Sequence, residues 1–347
     1  MRTARTRGRD SGFVLVVVIC MVMALAGLAL AFHRKARIGL RTARAMTRSE
    51  QALSCARAGL AVGKALALAG PTSESAATWE TTLDCDTGSC RMELSDEQAR
   101  INLNRLMDAG GGPDRARIDQ VLRLIDLVNR DGGPPIGYGI VPAILDWIDQ
   151  DDQTTCLDFI QRENRGAESG FYQGMEPPYR CQNRPLQTLE ELLLVRGVTP
   201  GVYRRLSPYL TVYGDGLVNL NAAPKRVIES LSEEIDSDLA QRIEDRRRMR
   251  PFQDLDEVRQ VAGITEAAYR KMQGLVTVRP ARSPLRIRAT GQVDNVAWTL
   301  SAVLQENRTA GTVDVMGYEE HRTQKTEDGS RKAEDRTQNT ELRTQKE

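Results

Sequence analysis

Asp146, Asp149, Asp151 and Asp152, with Glu168 further along the chain, lie on a segment rich in glycine and polar residues. Carboxylates on an irregular loop are hard oxygen donors, and calcium takes about six to eight such oxygens in tolerant geometry. The spacing is not that of an EF-hand, whose loop needs glycine at the sixth place and glutamate at the twelfth. A solvated acidic loop in which Asp146 caps a helix accounts for the same residues, and the pattern alone leaves both readings open. Acid–base hydrolysis would need two carboxyls held apart in acidity, and nothing in the spacing arranges that. The two histidines, His33 and His321, stand at the edge of an apolar segment and near the C-terminal end, outside any motif for base chemistry. The chain has no glycine-rich phosphate loop and no G-x-S-x-G elbow, so the sequence reads as that of a non-enzyme.

Four of the six cysteines stand at turns or loops. Cys85 and Cys90 bracket Asp86-Thr87-Gly88-Ser89, a turn sequence between two strand-like stretches, and Cys156 and Cys181 flank a loop. In an oxidising compartment these four are disulfide candidates, with a bridge across the hairpin expected for the first pair. Zinc is disfavoured, because neither pair has C-x2-C spacing and no histidine is near. Cys20 and Cys55 read as small buried side chains.

The elements that must carry these residues begin with 13–32, an uncharged apolar run long enough to cross a bilayer core of about 30 Å. Arg2, Arg5, Arg7 and Arg9 precede it and favour a cytoplasmic N-terminus. Ala29-Leu30-Ala31 has the form of a signal peptidase site, but the apolar run exceeds the ~7–15 residues of a secretory signal. No proline occurs from 33 to 69, and Gly70-Pro71 then gives a stop, so one helix of roughly 85 Å is expected from Phe13 to Ala69. Residues 79–94 and 283–305 read as paired strands; in the latter, Leu285, Ile287 and Ala289 alternate with Arg286, Arg288 and Thr290. Between them the chain turns helical, as the apolar face of Ile118, Val121, Leu122, Ile125 and Val128 indicates.

This helical block repeats itself. Residues 186–212 align with 252–278, matching Leu189 with Leu255, Gly197 with Gly263, Thr199 with Thr265 and Tyr203 with Tyr269. Thr188 with Glu191, and Asp254 with Glu257, have the grammar of capping boxes, and the two glycines suit a left-handed helix end. Each copy is therefore expected to be a helix, a tight turn and a helix. A net charge of +1 gives no global attraction to polyanions. Residues 308–347 are so poor in apolar side chains that a disordered tail is expected there.

The leader ending in Gly12, with Phe13 opening the apolar run, resembles a prepilin leader. Ala99-Arg100-Ile101-Asn102-Leu103-Asn104, Ile144-Leu145-Asp146-Trp147-Ile148-Asp149, Gly166-Ala167-Glu168-Ser169 with Tyr172, Asn183 with Leu186, and Val218-Asn219-Leu220-Asn221-Ala222-Ala223-Pro224 follow in order. Together these segments resemble the K-type minor pseudopilins of bacterial type II secretion over about residues 8–306. The resemblance implies an α+β fold: a pilin-like long N-terminal helix and small antiparallel sheet with a large all-α insertion holding two helix-hairpin-helix-like, or SAM-like, repeats. The implied divisions are a leader (1–12), a membrane part of the first helix (13–32), a pilin-like part (33–110), the insertion (111–282), closing strands (283–307) and the tail (308–347).

The resemblance also implies processing by a prepilin peptidase between Gly12 and Phe13, with N-methylation of Phe13. It implies a single-pass inner-membrane protein with its globular part in the periplasm, at the tip of a pseudopilus or, as the alternative, of a related type IV pilus. Its partners would be I- and J-type minor pseudopilins, the inner-membrane secretion platform and membrane lipid. Calcium would be held by Asp149, Asp151 and Glu168, with Asp146 and Asp152 as further candidates. Ordinary pilins carry glutamate at the fifth mature position, which here is Val17, as suits a subunit with no neighbour above it. The repeats also resemble DNA-binding helix-hairpin-helix modules, and the run Arg246-Arg247-Arg248-Met249-Arg250 would suit phosphate contacts. Against this, the turns read Gly-Val-Thr-Pro and Gly-Ile-Thr-Glu, lacking the second glycine that lets backbone approach phosphate, and nucleic acid is not an expected partner.

Overall fold

The computed structural model describes residues 10–69, 78–108, 110–161, 163–278, 283–307, 312–325 and 331–334. The expected proline-free helix is present as α1 (Asp10–Ala69). Its first half is the apolar run, with a mean hydropathy of 2.9 over its best window and none of that window buried. Its second half buries Ala52, Leu53, Cys55, Ala56 and Leu60 against a sheet. Glycines permit the close approach: a Cβ on Gly59 would collide with the Cys90 sulfur, and one on Gly63 would fall 2.7 Å from Ile287 Cγ2.

That sheet is antiparallel, in the order β1, β2, β7, β8, β9, β10. β1 (Thr78–Cys85) and β2 (Gly88–Asp96) form the expected hairpin, with Cys85 opposite Gly88 across the turn. The chain then leaves the sheet for some 180 residues, a length on the scale of a whole domain, and returns as β7 (Leu285–Val293) beside β2, followed by β8 (Val296–Asn307). The alternation read at 285–290 places Ile287 and Ala289 in the core under α1.

The excursion is helical, with its own larger core around Leu103, Ile118, Leu124, Ile125, Leu145, Trp147 and Phe252. It contains two related units. In the first, β3 (Ile101–Asn102) pairs in parallel with β4 (Leu210–Thr211). Between them lie α2 (Arg115–Arg130), α3 (Ile140–Ile148), α4 (Ser169–Tyr172), a 3-10 turn (Leu189–Leu194) and α5 (Pro200–Leu206). In the second, β5 (Val218–Asn219) pairs in parallel with β6 (Val276–Thr277), enclosing α6 (Lys225–Ser230), α7 (Ser237–Met249), a 3-10 turn (Leu255–Gln260) and α8 (Glu266–Gln273).

The repeat thus extends beyond the two aligned segments to the Ile-Asn-Leu-Asn and Val-Asn-Leu-Asn sequences. Asn104 receives the Leu186 N–H at 2.7 Å and donates to the Leu186 and Val212 carbonyls. Asn221 does the same with Phe252 N–H at 2.9 Å and with the Phe252 and Val278 carbonyls. One half-buried asparagine per unit therefore ties the start of the unit to both ends of its hairpin. Tyr203 donates to Glu190 at 2.8 Å, as Tyr269 does to Asp256 at 2.7 Å.

Several expectations need correction. The first limb of each hairpin is a 3-10 turn, not an α-helix, because it is only six residues long and ends in extended backbone before Gly197 (φ 84°) or Gly263 (φ 100°). The helical excursion starts near Ile101 and not at 111, since β3 already pairs with β4 deep inside it. Residues 308–347 are not wholly without structure: β9 (Thr312–Lys325) runs along β8, and β10 (Arg331–Glu334) along β9. The free backbone edge of β8 supplies a ladder whatever the polarity of the added side chains, and Val313 and Val315 sit in β9. Residues 1–9 of the leader and residues 308–311, 326–330 and 335–347 lie outside the described residues.

A buried ion cluster joins the two cores. Glu97, fully buried, pairs with Arg100 at 2.6 Å and with Arg286 of β7 at 2.5 Å, and accepts from Thr211 of β4. Burial alone would raise the Glu97 carboxyl, but the two guanidiniums hold it below the usual carboxylate range. Asp96 reinforces the seam by accepting from Asn219 at 2.8 Å.

Candidate functional site: a buried acidic cluster

α3 carries Asp146 into the core of the first unit, where it is fully buried, and ends at Asp149. The following loop doubles back so that Glu168 stands at the start of α4. Carboxylate oxygens of Asp146, Asp149 and Glu168 then lie within 4.8 Å of one another. Asp146 Oδ1 accepts from Thr155 N–H at 2.8 Å. Its Oδ2, together with Asp149 Oδ1 and both Glu168 oxygens, is buried without a hydrogen-bond partner. Gly166 is required beside them, since a Cβ there would collide with Asp146 Oδ2.

The loop is pinned from outside. Cys181 donates through sulfur to the Asp146 carbonyl at 3.1 Å. Trp147 meets Tyr172 edge-on at 5.1 Å, and Tyr172 stacks on Tyr179 at 5.2 Å, forming an aromatic floor. Tyr172 also accepts from Arg196 N–H at 3.2 Å, which connects the loop to the first hairpin.

Three acids this close cannot all ionise without compensation. Burial, then the charges of Asp146 and Asp151, push Asp149 up to about 7. Burial, then Asp146, Asp149 and Asp152, push Glu168 up to about 8. Asp146 is raised by burial too, although its bonds to Thr155 oppose the shift. Such a group of hard, unpartnered oxygens is completed by protons or by a cation, and its donor set suits calcium.

Of the five acids singled out in the sequence, the structure brings together Asp146, Asp149 and Glu168. Asp146 lies inside α3 and so caps no helix. Asp151 is exposed and outside this grouping: its Oδ1 accepts from Gln153 N–H at 2.7 Å in a local turn. Asp152 stands at the exposed rim, where its Oδ1 accepts from Ser169 N–H at 3.4 Å. Asn183, which is not an acid and so stands outside the carboxylate pattern, adopts a positive φ of 45°, donates to the Asp151 carbonyl and buries its own Oδ1 without a partner. Its place just after Cys181 was the available signal.

The four disulfide candidates are all thiols. Cys90 faces Leu83, not Cys85, so the hairpin offsets the expected pair by two residues. Cys156 is exposed and its sulfur donates to Asp158 at 3.4 Å, whereas Cys181 is buried over α3; the structure does not join them. The Gly12–Phe13 junction lies in the first turn of α1, with Phe13 exposed. Within the basic run at 246–250, buried Arg247 donates to the Leu220 and Ala223 carbonyls and pairs with Glu244, half-buried Arg246 donates to the Arg250 carbonyl, and exposed Arg248 lies 3.7 Å from both Glu244 and Asp245. A phosphate-binding face is thereby disfavoured.

A long N-terminal helix, free and apolar in its first half and laid on an antiparallel sheet in its second, defines a pilin-like protein; the duplicated helical excursion with its acidic cluster distinguishes this one. Two family models, both described as type II secretion system (T2SS), protein K, match residues 99–215 and 218–279, together just over half of the chain. Their boundaries coincide with the two structural units. The chain belongs to the type II secretion system protein K family.

It is 30% identical over 129 residues to type II secretion system protein K of Klebsiella pneumoniae, covering 37% of each chain. It is 30% identical over 174 residues to that of Pseudomonas aeruginosa, covering 50% of this chain and 48% of the relative. These matches therefore span less than half the length of those curated relatives. A solved structure described as the GspK-GspI-GspJ complex from the enterotoxigenic Escherichia coli type 2 secretion system matches in fold, with a TM-score of 0.55 and 19% identity over 82% of this chain and 99% of that one.

Proposed function

We propose that this protein is a minor pseudopilin that caps the tip of a type II secretion pseudopilus and helps to initiate its assembly. The observation that carries the reading is α1 itself: one unbroken helix, apolar and unburied at first, then packed by small residues onto the sheet. In this reading residues 13–32 anchor the chain in the inner membrane and dock into the fibre, and the rest stands in the periplasm. A prepilin peptidase cuts between Gly12 and Phe13, and Phe13 is N-methylated. The partners are I- and J-type subunits and the inner-membrane platform, and no catalysis is involved. The paired hairpins serve as divergent helix-hairpin-helix, or SAM-like, packing units.

Calcium is part of the proposal, as a structural ion. Asp146, Asp149 and Glu168 would hold it, with Asp151 and Asp152 close by, and the ion would supply the positive charge that their unpartnered oxygens lack. The test is co-purification of the full chain with I- and J-type subunits from detergent-solubilised membranes, with N-terminal sequencing of the recovered protein. A start at Phe13 in a three-part complex supports the proposal; a chain that never joins those subunits refutes it.

A further inference from the structure

The apolar run of α1 ends at Phe32, and the charges that follow it are all basic: Arg34, Lys35, Arg37, Arg41, Arg44 and Arg48. No aspartate or glutamate occurs from 11 to 49, so the helix offers these cations no acid three or four residues away. It offers them one another instead. Arg34 with Arg37, Arg37 with Arg41, Arg41 with Arg44 and Arg44 with Arg48 stand at the spacings where like charges destabilise a helix. The sheet takes up the last of them, as Arg48 pairs with Asp294 at the β7–β8 turn at 2.9 Å. Among the described residues the other five are exposed and have no ion-pair partner. Only an anion from outside the chain relieves their repulsion.

Their places along the helix identify the anion. At about 1.5 Å per residue, Arg34, Lys35 and Arg37 stand about 3–8 Å beyond the last apolar residue, which is the depth of a headgroup layer, and Arg41 stands about 14 Å beyond it. Helix side chains lean toward the N-terminus, and in α1 the apolar run is the N-terminal half, so each of these long side chains leans back toward the bilayer. At about 100° per residue, Arg34, Lys35 and Arg37 spread over about 160° of the helix surface. Headgroups surround a helix and meet cations on several sides, whereas one neighbouring helix meets a single stripe. We infer that Arg34, Lys35, Arg37 and Arg41 form a collar that binds anionic phospholipid headgroups, with phosphate as the group recognised. The arginine fork suits two phosphate oxygens at once. Such a collar fixes the depth of the helix: a shift outward by one turn takes its cations off the headgroup layer, and a shift inward drags Arg34 and Lys35 into hydrocarbon. The inference rests on the anchor reading of residues 13–32 proposed above, but not on which side of the membrane the globular part stands, since both leaflets carry phosphate.

The test places the full chain in phosphatidylcholine vesicles with a trace of spin-labelled phosphatidylglycerol or spin-labelled phosphatidylcholine, and reads the fraction of label immobilised at the protein surface. The expected result is about a fivefold preference for phosphatidylglycerol, equal to the ~1 kcal/mol that one Lys or Arg gains at an anionic surface. It should fall toward one in about 1 M salt, where the screening length is about 3 Å. Arg34→Gln, Lys35→Gln, Arg37→Gln and Arg41→Gln combined, which keep a good helix former at each place, should abolish the preference. Arg2→Gln, Arg5→Gln, Arg7→Gln and Arg9→Gln combined, on the other flank of the apolar run, should leave it. Equal affinity for the two lipids in wild type, or a preference kept without the collar and lost without the leader arginines, overturns the inference and leaves the anchor reading standing. A chain released from the vesicles by an alkaline wash overturns both. A collar variant that keeps the lipid preference but no longer joins I- and J-type subunits makes these residues a protein-docking face and overturns the inference as well.

Discussion

Replacing Glu168 by glutamine should have opposite effects on the protein with and without calcium. The carboxylates of Asp146, Asp149 and Glu168 approach within 4.8 Å, and two like charges at that separation repel by about 3.5 kcal/mol at an effective dielectric of about 20. Glu168 is pushed up to about 8 and is half ionised at that pH, so roughly half of the repulsion is present there. In chelator at pH 8, Glu168→Gln should therefore raise stability by about 1–2 kcal/mol, an increase of a few degrees in Tm for a domain of this size. Glutamine is nearly isosteric, and the native oxygens make no hydrogen bond that it would break. With calcium at about a hundred times Kd the wild type should gain about 2.7 kcal/mol. The variant, lacking one charged ligand, should lose most of that gain, so the order of the two proteins reverses. Differential scanning fluorimetry of the full chain in detergent, with chelator and with calcium, reads both arms. A variant that is less stable than wild type in chelator, or that keeps the full calcium shift, would refute the cluster as a cation site.

Proton competition should make calcium affinity rise between pH 6 and pH 8, because Asp149 and Glu168 are pushed up to about 7 and about 8 and must lose protons to bind; a flat calorimetric profile contradicts this. The same raised values imply that the calcium-free protein is favoured below the ordinary carboxylate range and loses that advantage as pH rises through about 7 and 8. Glu97→Gln should cost about 3–5 kcal/mol in urea unfolding, since it strands Arg100 and Arg286 at the seam. Glu97 is held low, so its contribution should be present above the ordinary carboxylate range and fade as pH falls. Truncation after Asn307 removes β9 and with it the Arg286–Glu319 contact at 3.6 Å, and bares the β8 edge; the shortened chain should self-associate in size-exclusion chromatography where the full chain does not.

What the sequence made legible follows the range of the interaction that decides each feature. α1 is decided locally, by apolar run and absence of proline, and β7 by its alternation; both stand where the pattern put them. β9 is decided by the free edge of β8, which no window over 312–325 contains. The acidic loop shows the same limit at finer scale. Asp149 and Asp151 look alike in sequence, yet the C-terminus of α3 aims one at Asp146 while a local turn takes the other. Asp146 reads as a cap until the helix around it is seen to be buried on every side.

Among the described residues the acidic cluster belongs to the first unit, and comparing the two units gives a reason. Both units share the asparagine that grips the hairpin, the tyrosine that braces it and the threonine that caps its second helix. The second unit joins asparagine to hairpin by way of α6 and α7, and its interior charge, Glu244, is matched by Arg247. The first unit spans the same connection with a longer path that sends Asp146 inward with no basic side chain paired to it. Where one copy neutralises its buried acid with a residue of its own, the other leaves three acids unpaired, and only protons or a cation from outside can settle the account. Under the proposed calcium reading, the ordering of this loop depends on the ion, whereas the Glu244–Arg247 pair of the second unit is complete within the chain.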